Sequence, residues 1–206
     1  MHYCLGDLII DIFQNAAESG AALVELEVRE TAKGVNGAPE FRFSVKDNGK
    51  GMDGEEVKRA VNPFENDGDK HPSRKLGLGL PFLIQAADQS GGGWSISSDK
   101  GKGTTVSAWF DRANVDTPPP GEMPEVFRTV FSFPGPAEVC IRYSREEGEG
   151  DLSYEVCKSE LEEILGGLED AESQILLDQY LRSLHKLEER GNGKNDPGIF
   201  EKTQGF

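Results

Sequence analysis

The chain has 206 residues, enough for one fair-sized core or two small ones, and its 37 acidic against 22 basic residues leave a formal charge of −15. That charge argues against a surface for duplex nucleic acid and against attraction to anionic membranes. No apolar run reaches the length of a spanning helix and no signal peptide precedes the first helical pattern, while Cys4, Cys140 and Cys157 lack metal-ligand spacing and His2, His71 and His185 are isolated, so reduced thiols in a cytoplasmic protein are expected.

In chain order, Leu5, Leu8, Ile9, Ile12, Phe13 and Ala16 recur at the spacing of a buried helical stripe, which predicts a helix over 5–18 ending near Gly20. Residues 24–29 alternate as a strand. After a turn-rich connection over 33–39, a second alternating run from Phe41 to Lys46 stops at Asp47 in a turn built on Asn48, Gly49 and Gly51. Asp53, Gly54, Glu55 and Glu56 open a short helix to Ala60 or Val61, with carboxylates at its positive end. Residues 62–76 hold Pro63, Gly68 and Pro72 among many charges, a composition that suits a mobile lid and a surface loop alike. Phe82, Leu83, Ile84, Ala86 and Ala87 follow a helical rhythm, and residues 94–110 read as two strands joined by a Lys-Gly-Lys-Gly turn.

Residues 116–125, centred on Pro118, Pro119 and Pro120, read as a short stiff linker. Beyond it, 126–133 and 138–143 read as strands, and Leu161, Ile164, Leu165, Leu168, Ala171 and Ile175 mark a helical stripe. Leu176, Tyr180, Leu181, Leu184 and Leu187 continue that stripe slightly out of phase, and Gly166-Gly167 marks a kink or a boundary between two helices. The run 150–190 carries eleven acidic and four basic side chains. Such a face is a solvated surface, an adaptor for a basic partner or a dimer interface. Residues 126–190 are therefore expected to form a small α/β module that docks a protein partner or a second copy, with 191–206 a loose tail.

Four stretches carry chemistry. A carboxylate fixed at a strand end, followed by glycines, can receive the amino edge of a planar ring against bare backbone; Asp47, Gly49 and Gly51 offer this, although Asp-Asn-Gly is also a common hairpin turn. Asp11 and Asn15, one helical turn apart, share a face. The Asn amide oxygen suits a hard divalent cation, and the carboxylate can hold or deprotonate a water beside it. Gly77 and Gly79 run into a helix N-terminus, where backbone N–H groups and the helix dipole favour phosphate. This stretch lacks the Gly-Lys-Ser/Thr ending of a Walker A loop and the glycine spacing of a dinucleotide fingerprint. Thr104, at the start of the second hairpin strand, can reach the same site.

Together, in this order over roughly residues 4–110, these stretches resemble the boxes of the GHKL ATPase superfamily, which includes DNA gyrase, the ninety-kilodalton heat-shock chaperone, sensor histidine kinases and MutL-type repair proteins. The N box is similar to residues 11–18, the first glycine box to 47–52, the second to 77–80 and the last to 103–105. The resemblance implies an α+β fold, a two-layer sandwich of a mixed sheet and helices over residues 1–115. It implies ATP and Mg²⁺ as ligands: Asn15 on Mg²⁺, Asp47 on the adenine amino group, Gly49, Gly51 and Met52 around the base. Gly77, Leu78, Gly79, Leu80 and Thr104 would line the phosphates. Arg74 and Lys75, at the end of a lid over about 61–76, would reach them too, unless both are simply solvated.

The chain also departs from the resembled branches. Glu18 stands where histidine kinases carry a Lys or Arg three positions after the Mg²⁺-binding Asn, and no phosphoacceptor helix is found. Gyrase- and MutL-type ATPases use a Glu as general base where this chain has Asp11, one methylene shorter, and they continue into a transducer domain that this chain does not match. Asp11 about 1 Å short of its water implies slow turnover. The leading expectation is an ATP-binding regulatory protein with weak, Mg²⁺-dependent hydrolysis at Asp11. The alternatives are a protein kinase acting in trans, similar to the anti-sigma-factor serine kinases, a repair- or topoisomerase-like ATPase half, and a scaffold that has lost its nucleotide.

Overall fold

The computed structural model describes residues 4–34, 37–62, 79–147 and 150–186. Helix α1 (Leu5–Ala17) is followed by strands β1 (Leu23–Thr31) and β2 (Glu40–Asp47), helices α2 (Gly54–Val61) and α3 (Gly79–Gln89), and the hairpin of β3 (Gly93–Asp99) and β4 (Gly103–Asp111). Then come α4 (Met123–Phe131), β5 (Glu138–Glu147), β6 (Gly150–Cys157), α5 (Lys158–Leu165) and α6 (Ala171–Lys186). The six strands form one sheet in the order β3-β4-β2-β1-β5-β6. All neighbours run antiparallel except β1 and β5, which are parallel. This is an α+β fold of two layers, with further elements after residue 115.

Strand alternation builds the layers. Val24, Leu26 and Val28 of β1, Phe41, Phe43 and Val45 of β2, Val106, Ala108 and Phe110 of β4, and Val139, Ile141 and Tyr143 of β5 are buried on one face, under the helices. The other face is polar and wet. Glu25 meets Lys46 at 2.8 Å and Arg142 at 3.3 Å, Arg142 also meets Glu155 at 3.2 Å, and Arg42 lies 4.9 Å from the centre of the Trp109 ring. Such exposed pairs contribute little stability; the fold rests on the buried face. Helix α1 supplies the stripe its spacing predicts: Leu5, Leu8, Ile9, Ile12, Phe13 and Ala16 are all buried.

Several expectations change beyond residue 115. The proline run is pinned rather than spanning open space, since the carbonyls of Pro119 and Pro120 accept from the N–H groups of Leu5 and Gly6 at 2.8 and 3.0 Å. Residues 126–133 are not a strand but lie mostly in α4, because Met123, Val126, Phe127, Val130 and Phe131 follow helical spacing and are all buried. Pro124 is tolerated in the first turn of this helix. A β-carbon on Gly6 would lie 2.5 Å from Val126 Cγ2, so α4 approaches α1 at a point where only glycine fits. The segment 126–186 shares the sheet and the hydrophobic core of residues 4–115.

The thiol expectation is overturned as well. The register of β5 against β6 sets Cys140 opposite Cys157, and the two form a disulfide with a Cα–Cα distance of 4.2 Å; of the described cysteines Cys4 is the free one. Gly166, left-handed at φ 77°, ends α5, so the glycine pair is a boundary between two helices. The single leucine stripe splits accordingly. Leu161, Leu168, Leu177 and Leu181 are buried, while Ile164, Ile175, Leu176 and Tyr180 are exposed. No helix among the described residues is long and apolar enough to cross a membrane.

Phe127 tests the integration of α4. Its buried ring packs against Tyr143 and His185, with centroids 5.8 and 6.0 Å away. Phe127→Ala should lower the unfolding free energy by about 3–5 kcal/mol in urea denaturation, and a chain ending at residue 115 should show no cooperative transition. Parent-like unfolding of that truncated chain would mean that residues 4–115 fold without α4 and β5.

Candidate functional site

The inward alternation of β2 that buries Phe41, Phe43 and Val45 ends at Asp47, whose side chain faces the helical layer and is 7% exposed. A buried carboxylate needs donors, and Asp47 has two on one oxygen. Its Oδ1 accepts from the Gly49 N–H at 2.8 Å and from the Ser19 hydroxyl at 3.1 Å. Asn48 turns the other way, its Oδ1 accepting from the N–H groups of Ala22 and Leu23 at 2.9 and 3.0 Å, and so ties the loop to the start of β1.

The loop beyond Asp47 lies backbone to backbone on the β3–β4 turn. A β-carbon on Gly51, at φ 59°, would fall 2.0 Å from the Asp99 carbonyl oxygen, and one on Gly103, at φ 108°, 1.9 Å from that of Asp47. The Gly101 N–H donates to the Lys50 carbonyl at 2.7 Å. Ser98 completes the junction: its hydroxyl donates to the Gly103 carbonyl at 3.1 Å and accepts from the Met52 N–H at 2.8 Å, leaving its 2.8 Å contact with Thr104 to be donated by the Thr104 hydroxyl. Thr104 stands opposite Asp47 in the β2–β4 register. Helix α2 is anchored beside this junction by Asp53, its N-cap. The backbone N–H of Glu56 and the Lys100 ammonium hold the Asp53 carboxyl below the ordinary carboxylate range.

Asp11 and Asn15 stand one turn apart on α1, Asp11 half-buried and Asn15 exposed. The first residue of α3 rests on them: a β-carbon on Gly79 would lie 3.3 Å from Asp11 Cβ and 3.6 Å from Asn15 Nδ2. The opening turn of a helix has N–H groups without intrahelical acceptors and the positive end of the dipole, so an anion-favouring helix end sits directly over an amide and a carboxylate. Leu80, the next residue, packs against the core. Glu18 caps the end of α1 and accepts from Gln14 Nε2 at 2.8 Å. Arg74, Lys75, Gly77 and Leu78 lie outside the described residues, as does the expected lid beyond Asn62.

Asp11, Asn15 and Gly79 are thus brought together, and Asp47, Gly49, Gly51, Met52 and Thr104 form a second cluster at the end of β2. Chain continuity joins the two clusters, because Ser19, two residues after α1, reaches Asp47. Sequence reasoning missed Ser19, Asn48 and Ser98. Asn48 was legible as an Asx side chain in a turn, whereas Ser19 and Ser98 gain their partners only through pairing across 28 and 46 positions.

A family model described as histidine kinase-, DNA gyrase B- and HSP90-like ATPase matches residues 4–114. Comparison with curated proteins finds no match. The matched segment runs from the start of α1 to just past β4 and holds every candidate residue described above.

The backbone contact makes Gly51 the sensitive position of the loop. Gly51→Ala combines a left-handed φ, costing about 1–2 kcal/mol, with a clash against main chain, and should lose more than about 2 kcal/mol of stability. Gly20→Ala, also at positive φ but with nothing within 4 Å of a β-carbon, should lose only about 1 kcal/mol. Equal melting losses for the two variants would contradict the contact.

Proposed function

The chain belongs to the histidine kinase-, DNA gyrase B- and HSP90-like ATPase family, and from that premise we propose an ATP-binding regulatory module, Mg²⁺-dependent and slow in hydrolysis. The observation that carries the proposal is the seating of the α3 N-terminus on Asp11 and Asn15, which gathers phosphate-type N–H donors, a neutral oxygen ligand and a carboxylate within one small region. Bound there, ATP would supply the phosphoryl group, and Mg²⁺ would offset part of the tetraanionic triphosphate's charge in a chain of −15. Asp47 accepts the amino group of the base. Asn15 offers its amide oxygen to the cation, and Asp11, one turn below, orients a water and takes its proton. The short reach of Asp11 leaves that water imperfectly held, so turnover falls well below about 1 per second.

We further propose that the outer side of α6 is a protein contact. From Ala171 to Ser183 its exposed side chains are Ala171, Glu172, Ile175, Leu176, Gln179, Tyr180 and Ser183, of which only Glu172 is charged. A basic partner finds one exposed carboxylate along this run, Glu172, since Asp178 is already paired with Arg182 at 2.8 Å. A second copy of the chain can meet it without like-charge repulsion, which for molecules of −15 selects the neutral faces for contact.

Calorimetry with Mg²⁺-ATP tests the ligand. Asp47→Ala should lose at least about a hundredfold in affinity, Asn15→Ala should lose mainly the Mg²⁺-dependent part, and Asp11→Asn should bind as the parent while phosphate release falls about a hundredfold or more. Unchanged affinity in Asp47→Ala would sink the assignment, and label appearing on an added protein rather than as free phosphate would select a kinase acting in trans.

Light scattering tests the contact. The parent should run as a dimer and Leu176→Glu as a monomer with an unchanged melting temperature. A monomeric parent removes self-association.

A further inference from the structure

We propose that Ser19 is a positioning residue for nucleotide recognition, orienting Asp47 so that a single carboxylate oxygen, Oδ2, is presented to the base. The inference rests on the ATP reading above and concerns how that site tells one base edge from another. Ser19 is half-buried just past the end of α1, and its main chain is held on both sides. Its N–H donates to the Ala16 carbonyl at 3.1 Å, and its own carbonyl accepts from the Lys50 N–H at 3.3 Å. The backbone therefore sets where the hydroxyl stands, 3.1 Å from Asp47 Oδ1.

Oδ1 also accepts from the Gly49 N–H at 2.8 Å. Two donors converge on one oxygen, and among the described residues none bonds Oδ2. A carboxylate held in this way cannot rotate its oxygens without breaking both bonds, so Oδ2 is the acceptor left for a ligand. Such an acceptor favours an exocyclic amino group and repels a carbonyl oxygen at the same ring position. Space enforces the arrangement as well: a β-carbon on Gly49 would fall 1.9 Å from Ser19 Oγ and 2.9 Å from Asp47 Oδ1, so the loop can close on Ser19 only with glycine there. Because Ser19 follows the helix that carries Asn15, the orientation of Asp47 is tied to the cation end of the site through four residues of chain.

The test compares ATP with inosine triphosphate, which carries oxygen in place of the amino group, by calorimetry on the full chain. The parent should prefer ATP. Ser19→Ala should lower ATP affinity about tenfold and leave inosine triphosphate unchanged, narrowing the preference by the same factor, with a parent-like melting temperature. Ser19→Thr, which keeps the hydroxyl, should restore both values toward the parent. A parent that prefers ATP while Ser19→Ala keeps the full preference, or loses both nucleotides equally, would overturn the positioning role and leave the ATP reading standing. A parent that binds neither nucleotide overturns the ATP reading, and the role of Ser19 with it.

Discussion

The loop after β2 and the turn between β3 and β4 touch through their main chains, closer than any side chain allows, and the candidate site depends on that contact. Gly51 lies against the Asp99 carbonyl and Gly103 against that of Asp47, while the Lys50 carbonyl and the Ser98 hydroxyl complete the junction with hydrogen bonds. Glycine is required here for approach as much as for conformation. The consequence is a rigid shelf: Asp47 ends its strand with its carbonyl covered, its carboxylate held by Ser19 and Gly49, and Thr104 beside it. A candidate site of this kind is pre-organised, since the groups that would meet a ligand are fixed by bonds that exist without it.

Helix α1 joins this shelf to the rest of the molecule. One side of it is buried against β1 and β2, and Gly6 near its start lets α4 lie close. Asp11 and Asn15 on its free edge receive the first turn of α3, and Ser19 just past its end reaches Asp47. Movement of α1 would therefore be felt at both clusters. In the proposed reading the strongly acidic chain meets an anion through backbone dipoles at the α3 N-terminus and through a divalent cation held at Asn15.

Residues after 115 are part of the same body. Strand β5 pairs with β1, α4 lies on α1, and the disulfide fastens β6 to β5. The family match ends at residue 114, so these elements extend the sheet on the side opposite the β3–β4 hairpin. Their exposed apolar side chains Ile175, Leu176 and Tyr180 lie on α6, which the proposed reading makes the contact surface.

Period and punctuation in the sequence were enough to determine α1, the alternation of β1, β2 and β4, an interruption of the helical stripe at Gly166-Gly167, and the order of the four motifs, because each is a local property of spacing or turn chemistry. Helical spacing from Met123 to Phe131 was equally present, but β-branched and aromatic residues outweighed it and the segment read as a strand. Strand β6 was passed over although Leu152, Tyr154 and Val156 alternate as Val24, Leu26 and Val28 do. What only the tertiary structure decided were pairings between distant residues: Cys140 with Cys157, Gly79 on Asp11 and Asn15, Ser98 with Met52, and Ser19 with Asp47. None of these leaves a periodic trace, since strand register and helix packing bring the partners together from separate parts of the chain, and a serine outside any motif looks the same whether it faces water or a buried carboxylate.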